Sequence, residues 1–281
     1  MFRSACTTRL PLPALRRYSK AATMSLKAIS AKDAASLDKD LMDVNIGGWS
    51  LDQLMELAGL SVSQAVWKMH PLSQGKNVLV VCGPGNNDVL TYNSVKGGDG
   101  LVAARHLAHY GYKPTVYYPK EGKNELYQRL KTQLQNLSIP FTTNFETALS
   151  TSHLLIDAIF GFSFGGPLRE PFPSIISQIE TASISVLSVD APSSWDITSG
   201  PPSSGPGAKF MPQALISLTA PKPCVKFYKG RHFVGGRFLT QSIAEKYGLV
   251  CPAYEGIDQV VEVFENDGGD FRYAPKGQSK Y

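Results

Sequence analysis

Residues 77–87 read NVLVVCGPGNN, an apolar run opened by one asparagine and closed by a glycine-rich turn. The run is too short for an ordinary helix and is apolar throughout rather than alternating, which is the pattern of a strand buried on both faces of a parallel sheet. Working outward, the same pattern recurs at PTVYY (114–118), SHLLIDAIF (152–160), SISVLSVD (183–190) and ALISLTA (214–220). Helical candidates lie between these runs at 101–110, 123–137 and 173–182. Upstream, Ser50–Met69 places apolar residues at Leu51, Leu54, Met55, Ala58, Val62, Ala65, Val66 and Met69, with Ser50 and Gln53 spaced as a capping box. Strand and helix in succession imply an α/β chain, a three-layer αβα sandwich with a mainly parallel central sheet over residues 28–265. The Pro/Gly/Ser-rich stretch 198–212 reads as a long surface loop, and 266–281 as a polar, frayed tail.

In open parallel sheets, ligands bind beyond the carboxyl ends of the strands. Those ends read CGPGNN, Pro119-Lys120, DAIFGFSFGG from Asp157, VDAPSSWD around Asp190, and TAPK from Thr219. Gly83, Gly85 and the Gly97-Gly98-Asp99-Gly100 run precede the helical stretch LVAARHLAHYG, so backbone amides and a helix amino end could approach an anion. The spacing is neither GxGxxG nor GxxxxGK[ST]. Asp157 and Asp190 each end an apolar strand, where a carboxylate is costly unless it meets a cation, accepts amide protons or works as acid or base. With Asn87 and Ser193 they form an all-oxygen set suited to a hard cation rather than zinc or copper, and the residues alone leave the cation open. His106 and His109 share one helix face without a third ligand, while His70, His153 and His232 stand alone. Cys6, Cys82, Cys224 and Cys251 have no CxxC spacing, so neither a zinc site nor a disulfide framework is indicated.

Taken together, GPGNN (83–87), GGDGLVAARHL (97–107), YYPK (117–120), DAIFGFSF (157–164), REPF (169–172), VDAPSSWD (189–196), LTAPK (218–222) and GGRF (235–238) resemble the NAD(P)H-hydrate epimerase family, the YjeF amino-terminal type. The resemblance covers nearly all of residues 28–250 in order. It implies a Rossmann-like fold, a homodimer, and epimerisation of the R and S forms of hydrated NADH and NADPH at C6 of the nicotinamide. That is a metabolite-repair step feeding an S-specific dehydratase, with the dinucleotide as substrate and not coenzyme. The resemblance also implies roles. Asn86, Asn87, Gly97, Gly98 and Asp99 hold substrate. Gly161, Phe162, Ser163, Phe164, Gly165, Gly166 and Pro167 form a second substrate loop. Asn87, Asp157 and Ser193 bind one potassium ion per subunit. Asp190 contacts substrate as the acid/base catalyst, with Lys120 assisting.

Three departures stand out. Ser194 occupies a position where the resembled family usually has glycine, and Gly166 one where lysine is common. The larger departure is DVLTYNSVK (88–96), which separates GNN from GGDG where family members run straight on. An active epimerase requires the insertion to loop out and the two fragments to reunite. The alternative is a dinucleotide- or protein-binding scaffold on the same fold, and a splice or gene-model origin of the nine residues is a third reading.

The formal charge of +5 belongs to the amino terminus. Residues 1–32 hold seven basic residues and no acid, and the remainder carries 21 basic against 23 acidic residues. The body therefore implies no nucleic-acid face. Residues 1–27 have the composition of a mitochondrial transit peptide, and Met24 offers a second start that yields a cytoplasmic form. No run reaches the roughly 20 apolar residues of a spanning helix, so no membrane insertion is expected.

Overall fold

Strand β1 (Asn77–Cys82) lies inside the sheet, as its uninterrupted apolar run requires. Val78, Val80 and Cys82 face one apolar cluster, and Leu79 and Val81 face another on the opposite side. The computed structural model describes residues 26–84, 96–122, 124–162, 164–265 and 271–273. Within them the strands are β1, β2 (Lys113–Tyr117), β3 (Phe141–Thr142), β4 (Leu154–Ala158), β5 (Ser185–Val189), β6 (Ala214–Leu218), β7 (Arg231–Gly235), β8 (Val260–Glu265) and β9 (Phe271–Tyr273). They form one sheet in the order β3, β2, β1, β4, β5, β6, β7, β8, β9. All pairings up to β7 are parallel, and β8 and β9 add antiparallel edges.

Helices α1 (Ala31–Met42), α2 (Leu51–Met69), α3 (Lys96–His109), α4 (Glu125–Asn136) and α7 (Gln241–Lys246) cover one face. Helices α5 (Phe145–Ser150) and α6 (Phe172–Thr181) cover the other. The expected capping box starts α2: Gln53 N donates to Ser50 Oγ at 3.2 Å and Ser50 N donates to Gln53 Oε1 at 2.9 Å. Among the described residues no helix is long and apolar enough to cross a membrane.

Two boundaries differ from the sequence reading. Helix α3 begins at Lys96, so GGDG is its first turn rather than a loop before it. Its close packing explains this, since a Cβ on Gly98 would meet Met55 Sδ at 2.5 Å and one on Gly100 would meet Ala158 Cβ at 2.9 Å. The segment after 265, read as a frayed tail, contains β9, which pairs with β8 through Phe264↔Arg272. An edge strand bonded on one side only needs no apolar periodicity, and its sequence shows none.

The chain runs outward from β1 to β2 and β3, then crosses back to β4 on the other side of β1. The crevice at this reversal opens at the carboxyl ends of β1 and β4. The register there sets Val81 beside Asp157, and Asp157 beside Ser188.

Candidate functional site

The split glycine turn sits at this crevice. Gly83 N donates to Ala158 O at 2.9 Å, tying the end of β1 to the end of β4. A Cβ on Gly97 would lie 2.5 Å from the Gly83 carbonyl oxygen. Gly83 and Gly97 therefore approach each other backbone to backbone. Gly85, Asn86, Asn87 and the insertion up to Val95 lie outside the described residues. Asp99, in the first turn of α3, is wholly buried. Burial, with the Asp99 charge adding to it, pushes the Cys82 thiol far above its usual range.

Asp157 is the penultimate residue of β4 and is completely buried. Its carboxylate accepts from Ser188 Oγ at 2.7 Å, Ser193 N at 2.9 Å, Ile159 N at 3.4 Å and Ser193 Oγ. Ser193 Oγ in turn accepts from Phe160 N at 3.1 Å, which fastens the β4 loop to the β5 loop. Burial raises the Asp157 pKa against the lowering effect of these neutral donors, and among the described residues no cationic side chain is a partner. A buried carboxylate compensated only by neutral groups, with hydroxyl oxygen beside it, fits a weakly polarising monovalent cation.

Asp190 follows β5 directly and is also completely buried. Its φ of 70° is a backbone conformation that a non-glycine residue holds only when its surroundings enforce it. Ile216 O accepts from its amide at 2.6 Å. Phe162 N donates to Asp190 Oδ2 at 3.1 Å, while Oδ1 accepts from Leu218 N at 3.4 Å and from Lys222 Nζ. The loop expected to hold substrate therefore touches the catalytic candidate through Phe162. In that loop Phe164 stacks on Phe160 with ring centroids 4.4 Å apart, and its amide donates to Gly161 O at 3.0 Å. Gly165, Gly166 and Pro167 are exposed, Gly166 has φ 86°, which suits glycine better than lysine, and Ser163 lies outside the described residues.

Lys120 is exposed after β2. Strands β1 and β4 lie between β2 and β5, a separation of about 14 Å at the usual strand spacing. The lysine that touches Asp190 is Lys222, after β6, the last residue of the LTAPK stretch and one to which the sequence alone assigns no role. Both lysines follow a proline at a strand end, and only the adjacency of β5 and β6 separates them. Among the histidines, His106 bonds Glu56 Oε1 at 2.8 Å, and His232 is buried against Ser217 Oγ at 2.9 Å.

Ser194 has φ 79°, so the position that the resemblance assigns to glycine demands a glycine-like backbone here too. Its buried hydroxyl has no hydrogen-bond partner among the described residues. Ser194→Gly is expected to relieve about 1 kcal/mol of left-handed strain and raise the melting temperature by about 3 °C. Thermal unfolding monitored by circular dichroism checks this, and an unchanged or lower midpoint would show that the site carries no strain.

A mainly parallel αβα sheet with carboxylates, hydroxyls and a buried lysine gathered at the carboxyl edge defines a Rossmann-like protein with a candidate ligand site along that edge. Residues 51–224 match the family of YjeF-related protein N-termini. The chain is 77% identical over 244 residues to a protein of Aspergillus fumigatus named NAD(P)H-hydrate epimerase, covering 85% of this chain and 97% of that one. A protein of the same name from Schizosaccharomyces pombe is 56% identical over 245 residues, covering 85% and 97%. The crystal structure of yeast YNL200c superposes with a TM-score of 0.77 at 41% identity, covering 84% of this chain and all of that one. The chain belongs to the YjeF N-terminal family, that of the NAD(P)H-hydrate epimerases.

Proposed function

We propose that this protein is an isomerase that interconverts the R and S hydrates of NADH and NADPH at C6 of the nicotinamide ring. The observation that carries this reading is the likeness, over nearly their whole length, to proteins named NAD(P)H-hydrate epimerase. Inversion at C6 requires loss of the hydroxyl and return of water to the opposite face. The ring nitrogen pushes the C–O electron pair onto oxygen, leaving an iminium-like cation. Asp190 protonates the departing hydroxyl, stabilises that cation and then takes a proton from the returning water. Gly97, Gly98 and Asp99, with Asn86 and Asn87, hold the dinucleotide from the β1 side. The Gly161–Pro167 loop holds it from the β4 side. Lys120, exposed at the same edge, assists Asp190 or contacts phosphate.

Asp157 and Ser193 would hold potassium, with Asn87 as a third side chain. When bound, the ion neutralises the buried Asp157 charge and braces the β4 and β5 loops, with little Lewis-acid contribution. The melting temperature is expected to be several degrees higher in potassium chloride than in lithium chloride at equal ionic strength. The difference is expected to vanish in Asp157→Asn, and equal midpoints for the unaltered chain would contradict the site.

The protein acts as a homodimer and supplies the S form to a dehydratase, in a mitochondrial form carrying residues 1–27 and a cytoplasmic form begun at Met24. Sedimentation tests the dimer. Fractionation of cells carrying Met24→Leu tests the second start, since the cytoplasmic form should disappear. The test of function is a mixture of both hydrates with an S-specific dehydratase. Added protein is expected to let the R form be consumed well above its spontaneous rate, and consumption at that rate alone would overturn the assignment.

A further inference from the structure

The turn after β6 places one side chain that the proposed reaction has not used. Lys222 is 2% exposed. Its ammonium donates to Asp190 Oδ1 and to Leu218 O, the latter at 2.7 Å, and lies 5.4 Å from the centre of the Phe162 ring. The turn holding it is fixed from three sides. Thr219, β-branched yet at φ 69°, donates its amide to Gly235 O at 2.8 Å. Ala220 N donates to Leu218 O at 2.9 Å, and Ile29 N, just ahead of α1, donates to Pro221 O at 2.8 Å. A buried lysine in a rigid turn, aimed at a buried carboxylate, is a costly arrangement whose geometry is specified rather than incidental.

We infer that Lys222 is the positioning residue of the epimerisation, holding against Asp190 Oδ1 the ammonium proton that Asp190 passes to the departing hydroxyl. This inference rests on the epimerase reading above. The resting pair is ammonium and carboxylate, with no net charge. As the C6–O bond breaks and its electron pair goes to oxygen, a proton passes from Lys222 Nζ to Asp190 and from Asp190 to that oxygen, which leaves as water. The pair is then an amine and a carboxylate, net negative as the ring becomes net positive. Attack by water on the other face returns one proton through Asp190 to Lys222. Nothing is oxidised or reduced, and no other reactant is needed.

Further titratable groups face the pair. Asp38 of α1 lines the same small cavity as Asp190, Lys222 and Phe162. His232 of β7 is held neutral by burial and by the Lys222 charge, its pKa lowered to about 3. The Cys224 thiol is pushed up to about 12 by burial and by the Asp190 charge, with Lys222 acting in the opposite direction. His232 and Cys224 therefore stay neutral where the pair exchanges its proton.

The test is Lys222→Met and Lys222→Gln in the full chain, with kcat and KM followed against pH. Without the lysine, Asp190 must take its proton from solvent. At neutral pH kcat is expected to fall about 100-fold with KM within about threefold, and to recover as the pH is lowered, so that the profile climbs toward acid. Lys222→Gln, which restores a donor to Oδ1 without a mobile proton, is expected to show the same acid-climbing profile. A folded variant whose activity falls without any change in the shape of its pH profile, or does not fall at all, would overturn the inference. Failure of both variants to fold would make Lys222 a folding residue and overturn it equally. Inactivity of the unaltered chain would instead remove the epimerase reading on which the inference stands.

Discussion

Asp190→Asn is expected to lower epimerisation about a thousandfold, to near the spontaneous rate, while leaving the fold intact. The amide keeps one acceptor oxygen, so it can retain Phe162 N or Lys222 Nζ but not both, and its NH2 then faces the other donor. It can neither relay a proton nor balance the cation that forms on the ring. The substitution also leaves the buried Lys222 charge without its counter-ion, which costs about 3 kcal/mol of stability. Rates are therefore to be measured well below the melting temperature. Combining it with Lys222→Met removes the stranded charge and should restore most of that stability without restoring any rate. Activity within tenfold of the unaltered chain in Asp190→Asn would mean that another group performs the acid–base work.

The second large effect is expected at Gly83. A Cβ there would lie 1.7 Å from Ile159 O and 2.6 Å from Ile159 C, both backbone atoms of the loop after β4. No rotamer change can relieve contact with backbone, so Gly83→Ala must part the ends of β1 and β4. This breaks the bond from Gly83 N to Ala158 O and displaces Gly97 from the Gly83 carbonyl. A loss of about 3 kcal/mol and a melting temperature lower by roughly 10 °C are expected, with activity lost as well. A midpoint within 2 °C or so of the unaltered chain would show that the crevice is looser than its packing indicates.

The parts of this structure that were legible in the sequence are those whose physics is local. Strands β1, β2, β4, β5 and β6 are apolar runs because both faces are covered, and α2 announces its start with Ser50 and Gln53. β7 was not legible because Arg231 and His232 interrupt its apolar pattern, and their partners, Glu262 and Ser217, come from β8 and β6. β3 has two residues, and β8 and β9 are antiparallel additions at the edge. The same division holds at the site. Asp157 and Asp190 could be singled out because a carboxylate at the end of a buried strand demands a reason. Lys222 could not, because Pro-Lys follows two different strands and the chain between Asp190 and Lys222 gives no sign that β5 and β6 are neighbours. Ser194 and Thr219 carry positive φ values that neither side chain would suggest.

The insertion at 88–96 bears most directly on the central claim that GPGNN and GGDG are halves of one substrate turn. Gly83 and Gly97 approach backbone to backbone, while residues 85–95, with Asn87 and most of the insertion among them, lie outside the described residues. The decisive measurement is epimerisation of the R hydrate by the full chain and by the same chain lacking residues 88–96. Activity in both, within a few-fold of each other, is the expected result. An inert full chain beside an active shortened one would show that the insertion breaks the turn, and inactivity of both would contradict the epimerase assignment itself.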